Sequence, residues 1–317
     1  MLSSLPAFLR LPLAFVVIAA NTVLLTTTLC VGAFIKFLIP LRGFRRFMSA
    51  RLVALAELWI AINSAAIRVF TRTQIIVEGA EGLRYQGWYL VISNHQTWVD
   101  IPILQAAFNR RMPFFKFFLK KELIWVPFLG LAWWALDFPF MRRYDRATLE
   151  RRPELRGRDR AETRLACERF RSIPVSVMNF VEGTRFTVEK HAAQASPFQH
   201  LLKARSGGVA FVVDAMGDML QSLVDVTLVY PAGKPTVMDL IANRNPSVHV
   251  HVRERPLPAD LLHGDYDNDA DYRERFQAWL NAIWVDKDAL IEERLTQTSL
   301  NQSSSNPARM SSVESKT

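Results

Sequence analysis

Tyr89-Leu90-Val91-Ile92-Ser93-Asn94-His95-Gln96-Thr97-Trp98-Val99-Asp100 carries an apolar run straight into a histidine and an aspartate with four residues between them. A short apolar run bounded by polar residues reads as a strand buried on both faces, as in parallel or mixed sheets covered by helices. In open α/β sheets, ligands bind outside the carboxyl ends of the strands. The imidazole of His95 and the carboxylate of Asp100 therefore stand where chemistry is expected. A satisfied polar loop, a helix N-cap by Asp100 ahead of Ile101-Pro102, and a metal pair are the other readings of this spacing.

Outward from this stretch, strand-like runs recur at Gln74 to Glu78, Trp88 to Ser93, Pro113 to Leu119, Phe138 to Met141, Val175 to Val181, Leu223 to Val229 and Val248 to Val252. Helical patterns lie between them at Ile101 to Phe108, Leu129 to Leu136, Ala161 to Arg171 and Gly208 to Leu220. This alternation predicts an α/β domain with a largely parallel or mixed central sheet. Asp271 to Arg294 follows as a long helix, with Phe276, Leu280, Ile283, Trp284, Leu290 and Ile291 on the side that packs back on the domain. Past Thr296 the chain is rich in Ser, Asn and Gln and is expected to be disordered.

No charged residue occurs from Leu11 to Ile35, a run long enough to cross a bilayer and too long for a signal peptide. Lys36, Arg42, Arg45, Arg46 and Arg51 crowd the segment after it, whereas only Arg10 precedes it. The positive-inside rule then puts that segment and the rest of the chain on the cytoplasmic side. Leu52 to Phe70 is apolar but broken by Glu57, Asn63 and Arg68, and reads as an amphipathic or partly inserted helix. Two geometries follow, a single span or a hairpin dipping into one leaflet. The domain plan is residues 1–72 as membrane helices, 73–295 as the catalytic domain and 296–317 as a tail.

A net charge of +9 over 317 residues suits work beside anionic lipid or phosphorylated substrates. Nucleic acid, the other usual partner of a basic chain, is set aside because half the residues are hydrophobic and no binding module is recognisable. Only Cys30 and Cys167 occur, too few for a disulfide framework or a zinc site. No metal or resident cofactor is expected.

His95 and Asp100 make two thirds of a Ser-His-Asp triad, and a substrate hydroxyl would complete it, as transfer of an acyl group to an alcohol requires. Three further blocks follow in order: Phe138-Pro139-Phe140-Met141-Arg142-Arg143, Phe180-Val181-Glu182-Gly183-Thr184-Arg185 and Val226-Thr227-Leu228-Val229-Tyr230-Pro231. Together the four blocks resemble those of the glycerolipid acyltransferases of the lysophosphatidate acyltransferase (PlsC-like) family, over roughly Ile75 to Arg255. The second block and Leu262-His263-Gly264-Asp265-Tyr266 look most like the bacterial inner-membrane branch called YihG. Two departures stand out. Met-Arg-Arg replaces the common Ile-Asp-Arg ending of the second block, and Val181 stands where many relatives have Pro.

The resemblance implies a glycerolipid acyltransferase fold, a helical hairpin at the membrane, and transfer of a fatty acyl chain from acyl-CoA or acyl carrier protein to the free hydroxyl of a membrane lysophospholipid. The acceptor it favours is 1-acyl-glycerol-3-phosphate, at a bacterial inner membrane. His95 would be the base and Asp100 its orienting carboxylate; Arg185, Arg143 and, beside it, Arg142 would hold phosphate. Gly183 would let a ligand approach the backbone, Thr184 would offer a hydroxyl, and Glu182 would orient the acceptor or neighbouring arginines. Lys120 would stabilise the thioester oxyanion or bind phosphate. The Gly-ended loop Lys203 to Gly208 leads into a helix whose N-terminus can hold an anion. The aromatic stretch Phe114 to Trp134 would line an acyl channel, face the membrane or pack in the core. The rival classes are a lipid-ester hydrolase, which needs a metal or a nucleophilic serine, and a scaffold that has lost activity, which would be expected to lack His95 or Asp100.

Overall fold

The computed structural model describes residues 2–127, 129–138, 140–141, 151, 170, 173–266 and 268–304. Among these the strands are β1 (Gln74–Glu78), β2 (Trp88–Ser93), β3 (Phe115–Phe117), β4 (Leu119–Lys120), β5 (Phe140–Met141), β6 (Val175–Phe180), β7 (Ser222–Val229) and β8 (Ser247–Arg255). The helices are α1 (Ala7–Leu38), α2 (Arg42–Phe70), α3 (Asp100–Phe108), α4 (Leu129–Ala135), α5 (Val188–Gln194), α6 (Gly207–Met216), α7 (Val237–Ile241) and α8 (Ala270–Ser304).

Six strands form one mixed sheet in the order β1-β8-β7-β2-β6-β3. β2 lies between β6 and β7, parallel to both, whereas β8 runs antiparallel to β7 and parallel to β1. Side chains alternate across a strand, and β2 shows it: Tyr89 and Val91 join Ile103, Leu104 and Phe108 of α3 on one face. Leu90 and Ile92 join Val209, Val213 and Met216 of α6 and Phe276, Leu280, Ile283 and Trp284 of α8 on the other. The apolar stripe expected on the long C-terminal helix is thus the one that covers the sheet. Lys287 of α8 is fully buried and donates to Asp225, to the carbonyl of Val226 and to Thr227, riveting the helix to β7.

The N-terminal segment is a hairpin of two helices, each long and apolar enough to cross a membrane. Asn21 donates to Asn63 and to the carbonyl of Trp59, and Trp59 donates to Thr22, linking α1 to α2. The breaks that made Leu52 to Phe70 look only partly inserted have other uses. Asn63 pairs with α1, and Glu57 is buried against the α/β domain, where it accepts from Tyr85. Leu29, Ala33, Leu52 and Ala56 pack against Leu119, Ala132, Leu136 and Phe138, so the hairpin is docked on the domain.

Several expectations need correction. Pro113 to Leu119 is not one strand: it divides into β3 in the main sheet and β4, which pairs with β5 in a two-stranded sheet. The Ser/Asn/Gln-rich segment beginning at Thr296 is not disordered throughout, because α8 continues to Ser304. Leu295 rests on the core, and the Thr298 and Ser299 hydroxyls donate back to the carbonyls of Arg294 and Leu295. The helix expected over Ala161 to Arg171, with Cys167, lies almost wholly outside the described residues.

Candidate active site

The loops leaving the carboxyl ends of β2, β6 and β7 meet over the middle of the sheet. The first carries His95 and enters α3 at Asp100, which is fully buried. Oδ2 of Asp100 accepts from His95 Nδ1 at 2.8 Å and from the backbone N–H groups of Gln96 and Thr97 at 2.6 and 3.0 Å. Its Oδ1 accepts from the Tyr230 hydroxyl at 2.6 Å. Four donors therefore hold one carboxylate, and three come from residues that precede α3. Asp100 does not cap that helix: Val99 takes the N-cap place, without a side-chain hydrogen bond.

With Nδ1–H committed to Asp100, the lone pair of His95 resides on Nε2, which makes no hydrogen bond to the described residues. The ring stacks on Phe180 at 4.0 Å between centroids and is 15% exposed, enough for a substrate hydroxyl to reach it. Asn94 fixes the loop from below: its amide donates to the carbonyl of Leu228 and accepts from the Leu228 N–H, both at 2.9 Å, extending the β2–β7 pairing by one side chain. Burial and the Asp100 charge hold the Tyr230 hydroxyl well above its usual range, so it stays a donor.

The loop after β6 supplies the third block. Glu182 is fully buried and accepts from the His95 N–H at 3.0 Å and the Leu202 N–H at 3.2 Å. Both oxygens of Glu182 are thus taken by backbone N–H groups, where the sequence reading expected it to orient the acceptor or an arginine, and it braces the His95 backbone. Burial pushes its carboxyl up to about 8, against the two N–H donors that favour the charged form. Gly183 has a φ of 68°, a left-handed conformation that makes the tight turn past Glu182. The Thr184 hydroxyl accepts from Lys190 Nζ, which also donates to the Arg185 carbonyl. The Arg185 guanidinium lies 3.8 Å above the centre of the exposed Trp98 ring. Phe186 N–H donates to the His95 carbonyl at 2.8 Å, tying this loop to the first.

The remaining candidates are placed less closely. Lys120 ends β4, and its side chain, like all of Arg142 and Arg143, lies outside the described residues. At the N-terminus of α6 the capping residue Ser206 is already engaged. The Ser206 hydroxyl donates to Gln277 of α8 and meets the Tyr266 hydroxyl, and the Ser206 N–H is taken by the same Gln277 oxygen. The aromatic stretch divides, with Phe115 in the core while Trp125 and Trp134 open with Leu131 and Pro127 onto an apolar cleft of about 480 Å³.

Sequence reasoning missed Asn94, Tyr230, Lys190 and Lys234 as members of the site; Asn94, Tyr230 and Lys234 are recruited by contacts between distant segments and Lys190 by contacts five and six residues away, and only Asn94 and Tyr230 fall inside a recognised block. It also saw no grouping with metal-ligand chemistry. Among the described residues Glu78, His249 and His251 offer ligand atoms within 4.8 Å of one another, on β1 and β8 rather than at His95. Arg294 of α8 already donates to the Glu78 carboxylate at 3.0 Å, and burial holds both imidazoles below their usual value. The grouping reads as an ion-paired edge of the sheet.

Comparison with known proteins bears on the same region. An acyltransferase family profile matches residues 74–231, from β1 to the end of the fourth block. The human 1-acyl-sn-glycerol-3-phosphate acyltransferase delta is 25% identical over 262 residues, 78% of this chain and 61% of that protein. The chicken lysocardiolipin acyltransferase 1 is 24% identical over 280 residues, 83% of this chain and 67% of that protein. A crystal structure of the 1-acyl-sn-glycerophosphate acyltransferase from Thermotoga maritima aligns over 90% of this chain at 16% identity and a TM-score of 0.49, too distant for residue-by-residue correspondence.

Proposed function

Because this chain belongs to the acyltransferase family, we propose that it moves a fatty acyl chain from a thioester donor, acyl-CoA or acyl carrier protein, to the free hydroxyl of a lysophospholipid. The acceptor is 1-acyl-glycerol-3-phosphate and the product phosphatidate. The observation that carries this reading is the four-donor cage around Asp100, which leaves His95 with its proton on Nδ1 and a lone pair on Nε2.

In the proposed reaction Nε2 takes the proton of the acceptor hydroxyl as its oxygen attacks the thioester carbonyl. The imidazolium that forms is paired with the buried carboxylate, which suits a base that must charge and discharge in each turnover. The tetrahedral intermediate then expels the thiolate, which recovers the proton from Nε2. No acyl-enzyme forms, since the neighbouring Ser93 is fully buried and its hydroxyl donates to the Asn94 carbonyl. Arg185 binds acceptor phosphate, with Arg143 and Lys120 assigned to phosphate or oxyanion by their place in the family blocks. The hairpin and the exposed Trp125 and Trp134 fit a bilayer interface, where aromatic rings of this kind concentrate. The basic cluster after α1 favours the cytoplasmic face of an inner membrane.

The test is a panel. The purified full chain, given labelled acyl-CoA and lysolipids differing only in head group, is expected to esterify the phosphate monoester fastest. Equal rates on choline and ethanolamine lysolipids would remove the head-group assignment, and release of free fatty acid without ester would replace transfer by hydrolysis.

A further inference from the structure

Lys234 stands on the loop that follows β7, four residues beyond the tyrosine that holds Asp100. That loop is pinned over the site: the Gly233 N–H donates to the Tyr230 carbonyl, and the Thr97 hydroxyl donates to the carbonyl of Pro235. Its ammonium lies 3.2 Å above the centre of the Phe186 ring, and the Phe186 N–H is bonded to the His95 carbonyl. Although the residue is exposed, its charged tip rests on that ring. The two carboxylates whose charges act on it, Glu182 and Asp100, are both occupied by other donors. Among the described residues neither Lys234 nor Arg185 makes an ion pair. Two cations from two loops, Arg185 seated on Trp98 and Lys234 on Phe186, thus present charge without a counter-ion among the described residues.

We propose that Lys234 is a binding residue for the phosphate monoester of the acyl acceptor, sharing that dianion with Arg185. The inference rests on the transfer reading above and adds to it a cation that no block of the sequence contains. Proximity decides between acceptor and donor phosphates. In 1-acyl-glycerol-3-phosphate the free hydroxyl and the phosphate sit on adjacent carbons, so a base that reaches the hydroxyl forces the phosphate close to His95. In acyl-CoA the phosphates lie a whole pantetheine arm away from the thioester. A point charge on Phe186 beside the catalytic loop therefore matches the acceptor, and an ammonium complements the planar fork of Arg185 on a dianion. Burial against the ring pulls the Lys234 ammonium down to about 8 while Glu182 and Asp100 pull the other way, and an incoming phosphate would restore its charge.

The experiment uses the full chain in lipid–detergent micelles and the variants Lys234→Met and Lys234→Arg, with steady-state kinetics and equilibrium binding of lysophosphatidate measured side by side. Loss of one charge-assisted contact predicts that Lys234→Met raises both KM and Kd for lysophosphatidate on the order of 10 to 100-fold. KM for acyl-CoA should stay in place, and Lys234→Arg should recover most of the loss. A rise in KM for acyl-CoA alone would give the lysine to the donor phosphates, and a fall in kcat with both KM values unchanged would give it to the oxyanion; either overturns the proposal. Wild-type protein that binds lysophosphatidate through Lys234 but never esterifies it would sink acyl transfer and leave the phosphate contact standing.

Discussion

Asp100→Asn removes a charge while keeping a shape. Three N–H donors converge on Oδ2, so the asparagine places its carbonyl oxygen there and its amide nitrogen toward Tyr230. The tyrosine hydroxyl can turn to accept, since a phenol is both donor and acceptor. Because the Gln96 and Thr97 N–H groups fix the oxygen on the His95 side, Nδ1 keeps its proton and the productive tautomer survives. What disappears is the charge that stabilises the imidazolium. General-base catalysis contributes roughly 100 to 10,000-fold. His95→Ala should forfeit that whole range and Asp100→Asn its lower end, about 100-fold or ~2.7 kcal/mol of barrier. Thiol release from acyl-CoA at saturating lysophosphatidate measures the rate, and a thermal melt measures the fold. The melting temperature should barely move. Near-wild-type turnover in Asp100→Asn would refute the argument, as would a melt collapsed to that of an unfolded chain.

Arg185→Ala should raise KM for lysophosphatidate roughly 10 to 100-fold, the effect of a lost charge-assisted pair, while Lys at that position recovers only part; an effect confined to acyl-CoA would exchange the two substrates in the cleft. Glu182 is held up to about 8 by burial, so above its ordinary value of 4.5 the native state keeps a proton that the unfolded chain has released. Its contribution to stability is therefore present at low pH and lost as pH rises toward 8, and the melting temperature difference between wild type and Glu182→Gln should shift toward the variant from pH 5 to pH 8; a difference that does not change with pH would contradict the buried brace. Deleting residues 1–70 strips Leu29, Ala33, Leu52 and Ala56 from their partners on the domain, so the remainder should aggregate without detergent and fail on bilayer-borne substrate. A monodisperse, fully active truncation would show the hairpin to be a simple tether.

The central strand was legible because burial on both faces writes itself as unbroken apolarity: Trp88 to Ser93 matches β2 residue for residue, and the edge strand β1 matches Gln74 to Glu78 through its Ile75-Ile76-Val77 run. The base pair was legible because both partners lie in one loop. Glu182 was misread for the opposite reason. A carboxylate in a turn looks solvent-facing, and only the fold brings the N–H groups of His95 and Leu202 onto it. Tyr230 sat inside a recognised block, yet its bond to Asp100 spans 130 residues and leaves no periodic trace. Lys234 follows that block as one basic residue in a turn, indistinguishable in sequence from a solvated loop. The Glu78, His249 and His251 grouping was hidden because its members come from strands adjacent only in the sheet. The end of α8 was misplaced because composition was weighed without the packing of Leu295.

The most direct test of the account follows both products of one reaction, with wild type and His95→Ala supplied with labelled acyl-CoA and 1-acyl-glycerol-3-phosphate. For wild type the account predicts one phosphatidate for each thiol released, with no labelled protein trapped on acid quench, and for His95→Ala neither product above background. Free fatty acid in place of phosphatidate, a labelled acyl-enzyme, or undiminished transfer by His95→Ala would contradict it.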